Sequence, residues 1–285
     1  MNLLSIRELD APALRQILSL SERPSRNRPL QGRGIALYFE KPSARTRNSM
    51  EMAAVQLGAH PVYIQRDELG LGTRESVEDV ARTLACYHSV IAARVKDHAV
   101  LEQMAEAVDT PVLNMLSDSD HPLQGLADLL TIQQLLGRVE GAKVAFIGDA
   151  NNVARSLAEG CQLLGAEFTI ASPHDYAVPL PGAGHVGDPR EAVEGAEIVY
   201  TDVWVSMGQD GDADARRRAF QPYQVSAALM EACPGAWFMH CLPARRGEEV
   251  ANEVIDGPRS AVWQQAENRM HSARGAMAWM LGVHP

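Results

Sequence analysis

A run of hydroxyl and guanidinium side chains stands at the start of a predicted helix. Residues 39–47 read Phe-Glu-Lys-Pro-Ser-Ala-Arg-Thr-Arg, after an apolar run at 35–38 and before a helical pattern at 48–57. Backbone N–H groups at a helix start have no internal partner and carry the positive end of the helix dipole. Ser43, Thr46 and the two arginines of this run therefore predict a pocket for a phosphate-like anion. The alternative is that Ser43 only caps the helix and that the arginines face solvent.

Other polar residues of the first half follow predicted strands, where open α/β sheets place their ligand sites. Arg94 ends a strand predicted at 90–95 and, taken alone, is more often a surface charge than a ligand. His121 and Gln124 lie three residues apart around Pro122, which favours the first turn of a helix. At that spacing a ring nitrogen and an amide face one spot, where both can donate to a carbonyl oxygen that gains charge during nucleophilic attack. A capped helix with a solvated histidine is the alternative.

The second half carries amide, carboxylate and thiol groups at predicted strand ends. Gly148-Asp-Ala-Asn-Asn152 has one glycine where a dinucleotide-binding loop has three, so its adjacent amides suggest a polar small molecule instead. Asp202, within the segment 201–209, and the sequence His240-Cys-Leu-Pro243 offer a carboxylate and a thiol to an amine substrate. A zinc site there lacks the spaced partners of a closed site. By residue type alone, Cys241 is more often an inert buried thiol.

Short β-rich runs alternate with helical patterns from residue 30 onward. The predicted strands lie at 35–38, 61–64, 90–95, 112–115, 144–147, 167–171, 197–201, 237–242 and 261–262. The predicted helices lie at 45–57, 77–87, 101–107, 123–136, 153–164, 225–232 and 269–281. This alternation predicts an α/β fold with parallel sheets that helices cover on both faces. A domain boundary is expected within the helix at 123–136 and the turn at 137–141, and surface loops are expected at 177–188 and 206–213.

The composition is that of a globular protein with an excess of acidic residues. The chain has 285 residues, a hydrophobic content of 46% and a formal net charge of −10. Its length suggests two domains, and its charge does not favour a nucleic-acid partner or an anionic membrane. The basic run Arg216-Arg-Arg218 is expected on a solvated helix face. Four cysteines without C-x-x-C spacing, an N-terminus unlike a signal peptide and no apolar stretch near ~20 residues predict free thiols in a cytoplasmic protein.

These segments, taken in order, resemble the motifs of the transcarbamoylase family. Ser43-Ala-Arg-Thr-Arg47 is similar to the family's Ser-Thr-Arg-Thr-Arg motif for carbamoyl phosphate, and His121-Pro-Leu-Gln124 is similar to its His-Pro-x-Gln. Asp202-Val-Trp-Val-Ser-Met-Gly-Gln209 and His240-Cys-Leu-Pro243 resemble the ornithine branch of the family, where the aspartate enzymes differ. Glu267-Asn-Arg269 resembles the closing motif, so the resemblance covers nearly the whole chain.

The resemblance implies two doubly wound parallel-sheet domains of similar size. A carbamoyl-phosphate-binding domain is expected at 1–130, an ornithine-binding domain at 131–266, and a C-terminal helix at 267–285 that packs back on the first domain. The implied reaction belongs to arginine biosynthesis and transfers the carbamoyl group of carbamoyl phosphate to the δ-amine of L-ornithine, giving citrulline and phosphate. The resemblance implies a homotrimer, and it implies no metal, organic cofactor, nucleic acid or membrane.

The resemblance also implies roles for individual residues. Those expected at carbamoyl phosphate are Ser43, Ala44, Arg45, Thr46, Arg94, His121, Gln124 and Arg269. Those expected at ornithine are Asn152, Asp202, Ser206, Met207, Cys241 and Leu242. The expected catalytic residues are Arg45, Arg94, His121, Gln124 and Cys241. In the implied mechanism a neutral amine attacks the carbonyl carbon, an oxyanion develops near Thr46, Arg94 and His121, and the leaving phosphate takes the amine proton.

Two departures from the family pattern bear on these expectations. Ala44 stands where the family has Thr, and Gly70 has no side chain with which to reach a neighbouring subunit's site. Other acceptors stay open, namely putrescine, an N-acylated ornithine or aspartate, although the polar loop around Ser206 favours a free amino acid over putrescine. A non-catalytic homologue is a further alternative, which the joint presence of the motif arginines, histidine and cysteine disfavours.

Overall fold

The computed structural model describes residues 1–22, 28–205 and 210–284. The chain forms two units, Met1–Leu130 with Glu267–Pro285 and Thr131–Ala266. Each unit has a wholly parallel sheet, and strands alternate with helices along the chain. The predicted class, α/β with two parallel sheets, is confirmed.

The elements are numbered in chain order. The strands are β1 Gly34–Phe39, β2 His60–Gln65, β3 His88–Arg94, β4 Val112–Leu116, β5 Lys143–Ile147, β6 Glu167–Ala171, β7 Ala183–Val186, β8 Ile198–Thr201 and β9 Trp237–His240. The α-helices are α1 Ala11–Glu22, α2 Ala44–Gln56, α3 Arg66–Leu69, α4 Val77–Tyr87, α5 Ala99–Ala107, α6 Pro122–Leu136, α7 Asn152–Leu164, α8 Pro189–Val193, α9 Ala213–Phe220, α10 Ala227–Met230, α11 Asn252–Ile255 and α12 Val262–Met280.

The sheet of the first unit has the order β2-β1-β3-β4. Its central strand β1 reads Gly-Ile-Ala-Leu-Tyr-Phe, and every residue after the glycine is at most 2% exposed. Strands of a parallel sheet are covered on both faces, which is why this sequence is continuously apolar rather than alternating. The register pairs Phe39 of β1 with Arg94 of β3. The carboxyl ends of these strands therefore lie side by side, and α2 begins at the same edge.

Residues 267–280 of α12 pack on α1 in the first unit. A Cβ at Gly275 would lie 2.1 Å from Ser21 Oγ and 2.8 Å from a backbone carbonyl oxygen of α1, so this close approach requires glycine. Arg274 donates to the Ser21 carbonyl oxygen at 2.6 Å and to Gln56 Oε1 of α2 at 2.8 Å. The prediction that the C-terminal helix packs on the first unit is therefore confirmed.

The sheet of the second unit has the order β7-β6-β5-β8-β9. On one face Phe146 of β5 stacks on Tyr200 of β8, with ring centroids 5.2 Å apart. On the other face a buried cluster includes Trp204, Phe220 and Val225. The chain order reverses at β5, and open α/β sheets bind ligands at the carboxyl ends of the strands beside such a reversal.

Two element predictions in the second unit are wrong. Of the strand predicted at 261–262, Val262 is the first residue of α12, so this helix begins upstream of its predicted start at 269. The loop predicted at 177–188 contains β7, which pairs with β6 at the sheet edge. Because β7 is short, half-exposed and contains Gly184, it lacks the apolar run by which buried strands are recognised.

Two further boundaries differ from the prediction. The helix predicted at 225–232 is only α10, because Val225 forms a parallel bridge with Val250 instead. The strand predicted to reach residue 242 ends at His240, since Leu242 adopts a left-handed backbone conformation with φ of 58°.

Two predictions about the whole chain can also be compared with the structure. None of the four cysteines, all of which lie in the described ranges, forms a disulfide, as predicted. Within the described ranges, none of the helices combines the length and the apolarity that crossing a bilayer would require.

Candidate active site

The start of α2 and the end of β3 form a hydroxyl–guanidinium cluster in the first unit. Ser43 caps α2, because its Oγ accepts from the Thr46 backbone N–H at 3.4 Å, and it also donates to Thr46 Oγ1 at 3.2 Å. Arg94 Nη1 donates to the same Thr46 oxygen at 3.3 Å. Ala44 and Arg45 lie in the first turn of α2 and are exposed. The helix cap by Ser43 is thus present, as the alternative interpretation predicts. In addition, the buried Arg94 of β3 contacts Thr46 in the first turn of the same helix.

Arg94 is a buried cation in a positively charged environment. It is 9% exposed, and burial together with the charge of Arg45 lowers the pKa of its guanidinium to about 10. Its Nε is buried without a hydrogen-bond partner. In the described part of the chain, neither Arg45 nor Arg94 forms an ion pair with a carboxylate. A buried cation normally has a counter-charge, so this cluster is suited to a bound anion.

His121 lies at the start of α6, and its backbone carbonyl accepts from the N–H groups of Gln124 and Gly125. The ring is 7% exposed, so the alternative of a solvated histidine is wrong. Burial, Arg269 and Arg94 all lower the pKa of His121, which falls well below its ordinary value. The ring is therefore neutral near pH 7 and can serve as a hydrogen-bond donor rather than as a cation.

Gln124 and Arg269 are buried in the same unit. Gln124 is 2% exposed, and its Nε2 donates to Asp128 Oδ1 one turn later in α6 at 2.7 Å. Arg269, in α12, is 8% exposed and lies close enough to His121 for its charge to lower the pKa of that ring. The fold thus gathers Arg94, His121 and Arg269 from three distant parts of the sequence.

The second unit places a carboxylate, an amide and a thiol at the carboxyl ends of β5, β8 and β9. Asp202 is 7% exposed; its Oδ2 accepts from Asn151 Nδ2 at 2.7 Å and its Oδ1 accepts from Cys241 Sγ at 3.0 Å. The Oδ1 atom of Asn151 caps α7, because it accepts hydrogen bonds from the backbone N–H groups of Val153 and Ala154. Asp202 is thereby held by groups from two neighbouring strand ends.

Of the remaining residues expected at ornithine, two lie in the described part of the structure and two do not. Asn152 is the first residue of α7 and is half-buried, as is Leu242, whose backbone N–H donates to His240 Nδ1 at 2.9 Å. Ser206 and Met207 lie outside the described residues. Asn151 is one of the adjacent amides after β5 that the sequence associates with a polar small molecule, but only Asn152 is assigned there to ornithine; the position of Asn151 directly before the helical pattern is the signal of an N-cap.

The potential metal-ligand atoms of Asp202, His240 and Cys241 lie within 4.8 Å of one another. His240 Nδ1 accepts from the Leu242 backbone N–H, so the ring proton is on Nε2, which donates to Glu249 Oε1 at 3.1 Å. Both nitrogens are therefore engaged, and His240 has no lone pair to offer a metal. The arrangement favours a structural role for His240, consistent with its full burial.

Arg216 is not on a solvated helix face, and that prediction is wrong. The residue is 7% exposed, its Nη2 lies 2.6 Å from Asp149 Oδ2, and its Nε donates to the Trp204 carbonyl oxygen at 2.8 Å. The guanidinium also packs over the ring of Tyr176, 4.8 Å from its centroid. Arg216 thus ties the loop after β5 to the segment after β8, which carries Asp202.

The charge balance around Asp149 differs from that around Arg94. Burial, the largest influence, raises the pKa of Asp149, and the charge of Asp202 adds to this effect, whereas Arg216 opposes it. Each carboxylate of this strand-end cluster has a donor from within the unit: Arg216 for Asp149 and Asn151 for Asp202.

Each of the two parallel α/β units thus has a polar cluster at the carboxyl ends of its strands, which is where open α/β sheets of enzymes bind small molecules. The chain belongs to the aspartate/ornithine carbamoyltransferase family. The family model of the carbamoyl-P binding domain matches residues 1–134, and that of the Asp/Orn binding domain matches residues 140–280.

Individual relatives and solved structures are similar over nearly the whole chain. The ornithine carbamoyltransferase of Hyperthermus butylicus is 52% identical over 268 residues, covering 88% of this chain and 85% of its own. That of Thermus thermophilus is 46% identical over 279 residues, covering 94% and 92%. The solved ornithine carbamoyltransferase of Pyrococcus furiosus superposes with a TM-score of 0.93 at 40% identity, covering 99% of this chain and 97% of that one.

Proposed function

We propose that this protein transfers the carbamoyl group of carbamoyl phosphate to the δ-amine of L-ornithine, giving L-citrulline and phosphate. The observation that carries the proposal is the state of Arg94, which is buried and donates to Thr46 Oγ1. Arg94 lies near the charge of Arg45 and forms no ion pair with a carboxylate in the described part of the chain. Such a cluster stabilises a dianionic phosphate group. The names of the relatives supply the acceptor, ornithine.

In the proposed carbamoyl-phosphate site, each residue acts on the phosphate or on the carbonyl. The proposed ligands are Ser43, Ala44 through its backbone N–H, Arg45, Thr46, Arg94 and Arg269, with His121 and Gln124 on the carbamoyl group. Because His121 is neutral, it donates a hydrogen bond to the oxyanion without giving up its proton. Holding both substrates in attack geometry can contribute ~7–11 kcal/mol, and each oxyanion donor about 3–4 kcal/mol.

In the proposed ornithine site, Asp202 pairs with the α-ammonium group and the nearby donors bind the α-carboxylate. The proposed ligands are Asn152, Asp202, Ser206, Met207, Cys241 and Leu242. The Cys241 thiol donates its hydrogen to Asp202, and the nucleophile in this proposal is the substrate amine rather than the thiol. The neutral amine forms the new C–N bond, the C–O bond to phosphate breaks, and the leaving phosphate takes the amine proton. The proposal requires no metal or organic cofactor.

A citrulline assay with a panel of acceptors tests the proposal. A polar site rejects a substrate that lacks the groups it binds, and putrescine has no carboxylate. We expect kcat/KM for ornithine to exceed that for putrescine by about a thousandfold, a difference of ~4 kcal/mol. Turnover of putrescine, aspartate or N-acetylornithine equal to that of ornithine would refute the acceptor, and an absence of turnover with any acceptor would support a non-catalytic homologue.

The biological setting is part of the proposal. We place the reaction in the cytoplasm and in arginine biosynthesis, and one relative, from Pyrococcus furiosus, carries the name anabolic. We also propose a homotrimer, on the resemblance to the family alone. Sedimentation equilibrium tests this proposal, since a fully active species of 31.0 kDa would contradict it.

A further inference from the structure

The N-terminal segment lies along β4, the edge strand of the first sheet. Leu3 N–H donates to the Val112 carbonyl oxygen at 3.0 Å, and Asn114 N–H donates to the Leu3 carbonyl oxygen at 2.9 Å. Leu3 and Ile6 are fully buried. The segment is therefore fixed both by backbone hydrogen bonds and by apolar packing, and it carries the next residue, Arg7, to the loop between β4 and α6.

Arg7 binds both oxygens of a buried carboxylate in that loop. Its Nη1 donates to Asp120 Oδ1 at 2.9 Å and its Nη2 to Asp120 Oδ2 at 3.0 Å. The Asp120 side chain is 0% exposed, whereas that of Arg7 is 44% exposed. A buried carboxylate needs a counter-charge, and bidentate hydrogen bonding by a guanidinium also fixes the orientation of the carboxylate. The position of Asp120 therefore depends on the N-terminal segment.

The loop around Asp120 is also closed on itself. Ser117 N–H donates to the Asp120 carbonyl oxygen at 2.9 Å, and the Asp120 N–H donates to Ser117 Oγ at 3.2 Å. The ring of His98 contacts Ser117 Oγ at 2.8 Å and lies 3.7 Å from Asp120 Oδ2. Asp120 directly precedes His121, so a shift of its carboxylate is transmitted through one peptide to the histidine of the proposed site.

We propose that Arg7 is a positioning residue for His121 in the carbamoyl transfer, acting through the buried carboxylate of Asp120. Without Arg7, the groups that remain beside this carboxylate are the Ser119 hydroxyl and the ring of His98, whose Nδ1 lies 3.7 Å from Asp120 Oδ2. The carboxylate would move toward that ring, and the backbone at His121 would follow. A misplacement of about 1 Å at a reacting group is enough to cost roughly a hundredfold in rate. The kinetic part of this inference rests on the proposed function.

Steady-state kinetics of Arg7→Ala tests the proposal. We expect kcat to fall about tenfold or more, while KM for carbamoyl phosphate changes less than about threefold because the phosphate ligands are untouched. Arg7→Lys keeps the charge but loses the bidentate geometry, so its kcat should lie between those of wild type and Arg7→Ala. The matched control is Arg15→Ala on α1, an exposed arginine that should leave both constants unchanged. A kcat for Arg7→Ala within twofold of wild type would overturn the proposal.

A double-mutant cycle with His121→Asn separates positioning from a general loss of folded protein. If Arg7 acts through His121, Arg7→Ala should lower kcat less than about twofold in the His121→Asn background. An equal fold-loss in both backgrounds would indicate a merely structural role and would contradict the inference. The cycle is repeated with Arg7→Lys, so that the test holds even where the alanine variant does not fold.

A measurement without turnover distinguishes this inference from the proposed function. In ligand-free protein, the imidazole NMR resonances of His121 should shift in Arg7→Ala and not in Arg15→Ala. Unchanged His121 resonances in Arg7→Ala would overturn the positioning role whatever reaction the protein catalyses. Conversely, a wild-type protein that forms no citrulline would refute the proposed function and leave the resonance test valid.

Discussion

The two polar clusters of this protein differ in how their charges are balanced. In the first unit, Arg94 is buried against Thr46, its pKa is lowered to about 10, and part of its guanidinium lacks a hydrogen-bond partner. In the second unit, Asp149 has Arg216 and Asp202 has Asn151 and Cys241. One cluster keeps an excess of positive charge, and the other satisfies its carboxylates internally.

This difference indicates how each cluster contributes to the free energy of the protein. Excess buried positive charge costs stability in the free protein and is recovered when an anion binds. Internally paired carboxylates contribute to stability before any substrate arrives, and they hold a preformed surface for a zwitterion. Substitutions in the first cluster should therefore change activity most, and substitutions in the second should also change the free energy of unfolding.

The largest expected effect is that of Arg94→Ala on catalysis. Removing the buried guanidinium leaves the substrate phosphate without a main counter-charge, which should cost ~3–5 kcal/mol of transition-state stabilisation. The fall in kcat/KM for carbamoyl phosphate is then about a hundredfold to several thousandfold. The free energy of unfolding should change little or rise. The control is Arg82→Ala on α4, an exposed arginine, and a loss of less than tenfold in Arg94→Ala would contradict the contrast between the clusters.

The next effect is that of Arg216→Ala on stability. The substitution leaves Asp149 buried without its cation, so the free energy of unfolding should fall by about 3 kcal/mol. Urea unfolding followed by tryptophan fluorescence measures it. Arg218→Ala is a matched control, because it removes an exposed arginine from the same helix and the same basic run. Equal stability of the two variants would show that the second cluster does not depend on its internal ion pair.

A smaller effect is expected for Asp202→Asn on the acceptor. The substitution removes the charge proposed to pair with the α-ammonium of ornithine, so kcat/KM for ornithine should fall about 30-fold, or ~2 kcal/mol. KM for carbamoyl phosphate should stay within about twofold. Asp214→Asn on α9 controls for the loss of a negative charge elsewhere in the unit, since that side chain is 85% exposed. A matching fall in that control would point to a general effect of net charge.

The smallest effect concerns the pH dependence of stability. His121 has a pKa well below its ordinary value in the folded state, so below about pH 6.5 the unfolded chain binds a proton that the folded chain does not. Stability is therefore lost as the pH falls. Between pH 7 and 5.5, wild type should lose about 1 kcal/mol more than His121→Asn in urea unfolding. The burial of His88 and His271 lowers their pKa values too, but both remain in either protein. An identical pH dependence of the free energy of unfolding in the two proteins would contradict the lowered pKa of His121.

Much of the fold could be predicted because parallel strands that are covered on both faces are continuously apolar. The predicted strand at 167–171 and the predicted helix at 77–87 coincide with β6 and α4. The short edge strand β7 and the helix α9 could not be recognised, because half-exposed residues and a run of arginines carry no apolar periodicity. Their structure depends on contacts with residues distant in the sequence.

The same distinction between local and long-range signals applies to the residues of the candidate site. The motif residues of the first unit could be proposed from the sequence because chemistry and spacing coincide within a few positions, as at 43–47. Arg216 was misjudged because its partner Asp149 lies 67 residues away in the sequence, and three successive arginines resemble a solvated face. Arg7 carried no signal at all, since its partner is 113 residues distant. Long-range ion pairs of this kind become visible only in the folded protein.

The packing of α12 on α1 at Gly275 has a consequence for biosynthesis. The first unit is built from residues 1–130 together with the part of α12 that carries Arg269 and Arg274, which is translated only after the whole second unit. At ~5–20 residues per second, the ribosome needs several seconds to about half a minute to reach that helix after residue 130. Throughout that interval the surface of α1 that Gly275 will cover is accessible to chaperones and to other nascent chains. The second unit, by contrast, is contiguous in sequence and can fold as soon as it emerges.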